Sequence, residues 1–139
     1  MSLGLLIKGI AHVGIRVHDL SRSRAFYEQL GFAFMAGPLG PEPVAIMKHP
    51  SGITVNFILN APEADAPNVL MDIAAKHTGY THIALLVVDL DAVQTHLDNA
   101  GIVITAGPVQ FPGGACAIFV RDPDRNVIEF HQEASDAPA

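Results

Sequence analysis

Two runs of apolar and β-branched residues, 10–17 (IAHVGIRV) and 80–88 (YTHIALLVV), read as strands. Each is followed by an aspartate, Asp19 or Asp89, of the kind that caps a helix N-terminus. After Asp19, residues Ser23, Phe26, Tyr27 and Leu30 fall at helical spacing; after Asp89, Val93, Leu97 and Ala100 do the same. Gly31 and Gly101 then stop the helices. Strands follow at 32–36 and 102–106, each closing on Ala-Gly-Pro. The first set continues with strands at 44–49 and 53–59 around a Pro50-Ser51-Gly52 turn. The second continues with a turn at 112–114 and strands at 116–121 and 127–131 around Asp122-Pro123-Asp124. Each set is therefore βαβββ, and the fold class is α+β.

The two sets are copies of one another. Residues 9–38 align with 79–108 at a shift of 70, without a gap, and nine of the thirty positions are identical. Among them are His12/His82, Asp19/Asp89, Leu20/Leu90 and Gly31/Gly101. Self-similarity at a fixed period signals repeated architecture. We read 5–60 as the first module, 61–78 as a linker, 79–132 as the second module and 133–139 as a flexible tail. Within the linker, Pro62 and Pro67 break the start, and 69–75 suits one or two helical turns or a lid over a site.

Strand alternation places His12 with Gly14 and Arg16, and His82 with Ala84 and Leu86. A histidine at a matched position of both copies is a stronger signal than a lone one. Pseudo-twofold symmetry between the copies would turn both imidazoles to one cavity. Glu129 interrupts an apolar strand, and a carboxylate there needs a partner or a cation. Its counterpart in the first copy is Asn56. His12, His82 and Glu129 make a standard ligand set for one divalent transition metal, with Asn56 supplying a neutral oxygen or leaving that corner to water. Arg16 can hold a substrate anion or pair with an acidic side chain. Phe57, Phe111 and Phe119 are candidates for the pocket lining or the core. His18, His77 and His96 read as surface residues.

Composition narrows the field. The chain has 139 residues, half of them hydrophobic and 16% charged, with a net charge of -6. It lacks the basic cluster that nucleic-acid binding needs. Cys116 is the single cysteine, so no intramolecular disulfide is expected. With no basic signal-peptide start and no membrane-length apolar run, a cytoplasmic location is the expectation.

The segments HVGIRVHDLSRSRAFYEQLGF (12–32), THIALLVVDLDAVQTHLDNAGI (81–102) and RDPDRNVIEF (121–130) resemble the vicinal oxygen chelate superfamily. That family includes glyoxalase I, methylmalonyl-CoA epimerase, fosfomycin-resistance and bleomycin-binding proteins, and extradiol dioxygenases. The resemblance implies paired βαβββ modules in a cup-shaped, barrel-like sheet, and metal ligands at His12, Asn56, His82 and Glu129. It also implies a homodimer acting on a small molecule, with Zn, Ni, Co, Mn or Fe(II) as cofactor. The extradiol dioxygenase pattern places a Tyr where this chain has Phe119, and a His in the region of Gln110, Phe111 and Pro112. The fosfomycin transferases place a hydroxyl or thiol residue at the position of Gly14. The expected function is a metal-dependent lyase or isomerase that stabilises an enediolate or enolate; the resemblance implies a carboxylate base, which makes Glu129 the candidate catalytic base, with His49 and His131 as substitutes. The alternatives are an iron(II) dioxygenase and a non-catalytic binding or resistance protein.

Overall fold

A computed structural model describes residues 1–134, so most of the expected tail, from residue 135, lies outside the described residues. The chain divides into two compact units, Met1–Ala64 and a second beginning at Asp65.

The first unit contains a short helix α1 (Leu3–Leu6), strand β1 (Val13–Arg16), helix α2 (Leu20–Gln29), and strands β2 (Ala33–Leu39), β3 (Val44–Lys48) and β4 (Thr54–Ile58). Its four strands form an open mixed sheet in the order β1-β4-β3-β2. β1 and β4 are parallel, and the other two pairings are antiparallel. Helix α2 starts where Asp19 accepts hydrogen bonds from the Ser21 and Arg22 N–H groups at 2.8 and 3.4 Å, a cap that contributes about 1 kcal/mol. Its Tyr27 ring packs edge-on against Phe57, with centroids 5.1 Å apart. Phe57, Val55, Ala45 and Met47 are buried on this helix-facing side of the sheet. Strand alternation leaves Asn56, Gly14 and Arg16 on the other side.

The second unit repeats the plan with β5 (His82–Leu86), α3 (Leu90–Ala100), β6 (Ile104–Gln110), β7 (Cys116–Arg121) and β8 (Val127–Gln132). Its sheet runs β5-β8-β7-β6 and is also open. Asp89 caps α3 through the Ala92 N–H at 3.0 Å. Gly101 closes the helix in the left-handed region at φ 72°. Gln132, buried at the end of β8, accepts the Leu90 N–H at 2.6 Å and ties the helix start to the sheet. Ile128, Phe130 and Gln132 alternate with Val127, Glu129 and His131 along β8, so Glu129 lies on the face away from the Gln132–α3 contact.

Two edge strands share a feature. β2 carries Pro38 and β6 carries Pro108, each on the outer edge of its sheet. Edge positions tolerate proline because no inner ladder hydrogen bond is lost. Both strands also have register shifts against their neighbours, around Ala36 and Ala106.

Of the one or two helical turns expected at 69–75, a single turn forms, with the Asp72 N–H donating to Asn68 O at 2.7 Å. The Asp72 carboxylate accepts two hydrogen bonds from Arg125, at 2.6 and 3.0 Å, and Arg121 Nη1 lies 3.0 Å from it. The later part of the linker is thus fastened to the β7–β8 turn. Among the described residues, no helix is long and apolar enough to cross a membrane.

Candidate functional site

The chemistry-bearing residues gather most densely on the Glu129 face of the second unit. Glu129 is 7% exposed, and a buried carboxylate must be matched by donors or a cation. It stands opposite Ala84 of β5 on one side and Phe119 of β7 on the other. His82 Nε2–H donates to Glu129 Oε1 at 3.1 Å, and His131 Nδ1–H donates to Oε2 at 2.7 Å. Each carboxylate oxygen therefore meets its own imidazole.

Both imidazoles are held in turn. Thr81 Oγ1 lies 2.8 Å from His82 Nδ1; with Nε2–H donating to Glu129, the hydroxyl donates to Nδ1. The His82 ring meets Phe119 edge-on at 5.9 Å. The His131 ring stacks on Phe111, at 5.7 Å and 26°. Phe111 is carried by the β6–β7 hairpin, where its N–H donates to Ala115 O at 2.8 Å.

The His82–Glu129 pair fits a divalent cation. Two ligands about 2.1 Å from one ion, at about 90–109° to each other, lie about 3.0–3.4 Å apart. The observed 3.1 Å falls in that interval. A cation replacing the Nε2 proton would leave Nδ1–H to donate to Thr81, the outer hydrogen bond that metal-bound histidines commonly make. Among the described residues, no three His, Cys, Asp or Glu side chains form a metal-holding group.

In the first unit, Asn56 stands opposite Gly14 as Glu129 stands opposite Ala84, so the two ladders match square for square. Asn56 Oδ1 is buried and accepts no hydrogen bond among the described residues. His12 precedes β1 and is exposed. Arg16 donates through Nε to Asn60 Oδ1 at 2.8 Å and lies 3.8 Å from Glu42 Oε1.

The aromatic candidates separate. Phe57 is fully buried against Tyr27, on the opposite side of β4 from Asn56, and is a core residue. Phe119 and Phe111 flank the two histidines around Glu129. His49 is engaged in its own turn, where its Nδ1 accepts the Ser51 N–H at 3.0 Å. His131, a substitute base in the sequence reading, is a member of this cluster. The signal that finds it is its i,i+2 position after Glu129 on one strand face.

Two open mixed sheets built from βαβββ copies define a glyoxalase-like fold. The chain belongs to the glyoxalase/bleomycin resistance protein/dioxygenase superfamily, whose pattern matches residues 9–130. It is 26% identical to a glyoxalase domain-containing protein, RDO1, of Mycosarcoma maydis over 90% of this chain and 68% of that protein. It superimposes on a glyoxalase family protein from Enterococcus faecalis with a TM-score of 0.75 and 25% identity, covering 91% of this chain and 98% of the other. It shares the fold of a lactoylglutathione lyase from Agrobacterium tumefaciens, with a TM-score of 0.67 at 17% identity, covering 93% and 96% of the two chains. The superfamily includes enzymes, and its members generally bind a divalent metal.

Proposed function

We propose that this protein is a divalent-metal-dependent lyase or isomerase acting on a small substrate that presents two neighbouring oxygens. The observation that carries this reading is the buried Glu129 carboxylate beside His82 Nε2 at ligand spacing. His82 and Glu129 hold the metal, with His12 and Asn56 as the matching residues of the first copy. The bound metal supplies Lewis-acid stabilisation of an enediolate or enolate oxygen.

The protein's own groups do the rest. Glu129 engages the metal through Oε1; Oε2 accepts from His131, and its second lone pair is the base for a proton on the adjacent substrate carbon. Thr81 fixes the His82 ring. Phe119 and Phe111 give the site apolar walls that limit water. The same reading makes the protein a homodimer. Apolar residues that stand open on β5 and just beyond it, Leu86 (66% exposed) and Val88 (79%), support a face that a second copy covers.

The test is elemental analysis of protein purified without added metal, with H82A and E129Q beside the wild type. The expected result is stoichiometric zinc, nickel, cobalt or manganese in the wild type and loss of metal in both variants. Iron with oxygen uptake would reassign the protein to the dioxygenases. A metal-free wild type, with unchanged stability in H12A and H82A, would make it a binding protein.

A further inference from the structure

The two repeats differ at one place next to the site. Two residues beyond Glu129 on the same strand face comes His131; two beyond Asn56 comes Ile58. The ladders confirm the match, since His131 stands opposite Leu86 and Ile58 opposite Arg16, themselves equivalent positions. The fold therefore does not require a histidine here. Where the histidine is present, the neighbouring carboxylate has a donor at 2.7 Å. Where isoleucine replaces it, the neighbouring amide oxygen has none among the described residues.

We propose that His131 is a positioning residue for Glu129: by holding Oε2, it presents Oε1 toward His82. This rests on the metal-binding reading given above. Three observations support it. The contact is short, as a hydrogen bond to an ionised acceptor should be. The imidazole is itself packed, stacked on the Phe111 ring at 26° with its side chain three-quarters buried. Its other nitrogen is 3.9 Å from the half-exposed Glu133 carboxylate, beyond hydrogen-bond reach, so its strong contact is the one to Glu129.

A glutamate that must offer one oxygen to a cation gains from having the other pinned. Without the pin, its side-chain torsions are free to turn Oε1 away from His82, and the ordering falls on the binding step. Partners of metal-bound carboxylates and histidines typically carry about 10–100-fold in metal affinity.

The test compares H131F, H131A and H131N with the wild type in titrations with Co(II) ion, read by affinity and by the visible absorption of the bound ion. H131F keeps a ring against Phe111 but loses the donor. H131N keeps an N–H donor near the place of Nδ1. The expected result is about 10–100-fold weaker Co(II) binding with an altered spectrum in H131F, and H131N within about threefold of the wild type. If H131F does not fold, as judged by circular dichroism, H131A gives the same comparison. A donor-free variant that binds Co(II) as tightly as the wild type, with a superimposable spectrum, overturns the positioning role alone. A wild type that binds no Co(II) overturns the metal reading and this inference together.

Discussion

Asn56 and Glu129 occupy the same square of two equivalent ladders, one opposite Gly14 and the other opposite Ala84. They have opposite hydrogen-bond states: Glu129 has both oxygens engaged, while the buried Oδ1 of Asn56 has no partner among the described residues. A buried unsatisfied acceptor costs about 1–3 kcal/mol. Leucine has nearly the shape of asparagine without the polar atoms. Asn56→Leu should therefore stabilise the protein by about 1 kcal/mol and raise Tm by a few degrees. Thermal unfolding without metal checks this, and a fall in Tm would show that the oxygen is satisfied in solution. Loss of metal affinity in the same variant would mean that stability was given up at this position for function.

Asp72 gives a pH-dependent prediction. The Arg125 hydrogen bond, joined by the Asn68 N–H and the Arg121 charge, holds its carboxyl well below the usual carboxylate range, against an opposing effect of burial. A depressed folded pKa contributes stability above the unfolded value, and the contribution disappears as pH falls through the folded value. Asp72→Asn should lower stability by about 1 kcal/mol at neutral pH, a figure kept low because Arg125 is half-exposed. The gap should stay constant down to about pH 4, near the unfolded value, and narrow below it. Urea melts of both proteins from pH 7 to pH 2 test this; a gap that widens in acid would contradict it.

Gly107 and Gly101 both have positive φ, yet they should respond differently to alanine. A Cβ on Gly107 would lie 2.7 Å from Ala117 O, a backbone atom that cannot swing aside. A Cβ on Gly101 would meet nothing within 4 Å. Gly107→Ala should cost about 3 kcal/mol, from strain and overpacking together. Gly101→Ala should cost about 1 kcal/mol, from the left-handed backbone alone. Chemical denaturation ranks the two, and equal losses would mean that the sheet yields around Gly107.

The phenylalanines divide into core and rim. Phe57 is fully buried, and Phe57→Ala should cost about 3–5 kcal/mol. Phe111 is 36% exposed, and Phe111→Ala should cost about 1 kcal/mol. Comparable losses at the two sites, measured in the same denaturant, would contradict the separation.

Much of this was legible along the chain, because the signals were local. The Asp caps, the glycine stops and the strand alternation depend on near neighbours, and the strands and helices lie within a few residues of where those signals put them. The Asn56–Glu129 match was legible because the two closing strands end alike, in Asn56-Phe57 and Glu129-Phe130. What sequence did not yield came from distant contacts. Asp72 meets Arg125 across 53 residues, and no local pattern announces that contact. Arg16 finds Asn60 across 44 residues, a contact that local sequence does not announce. Helix α1 went unread because its apolar residues, all exposed, have no polar face to set a period. His131 was readable as a neighbour of Glu129, but its shelter comes from Phe111 on another hairpin.

The prolines on the outer strands bear on how the protein avoids aggregation while folding. A strand at the margin of an open sheet is a template for any other extended chain. Pro38 and Pro108 each remove one N–H from such a margin, and the irregular pairing beside them bends the template. A duplicated sheet has twice the exposed margin of a single one, and here each copy carries its own safeguard against fibril growth.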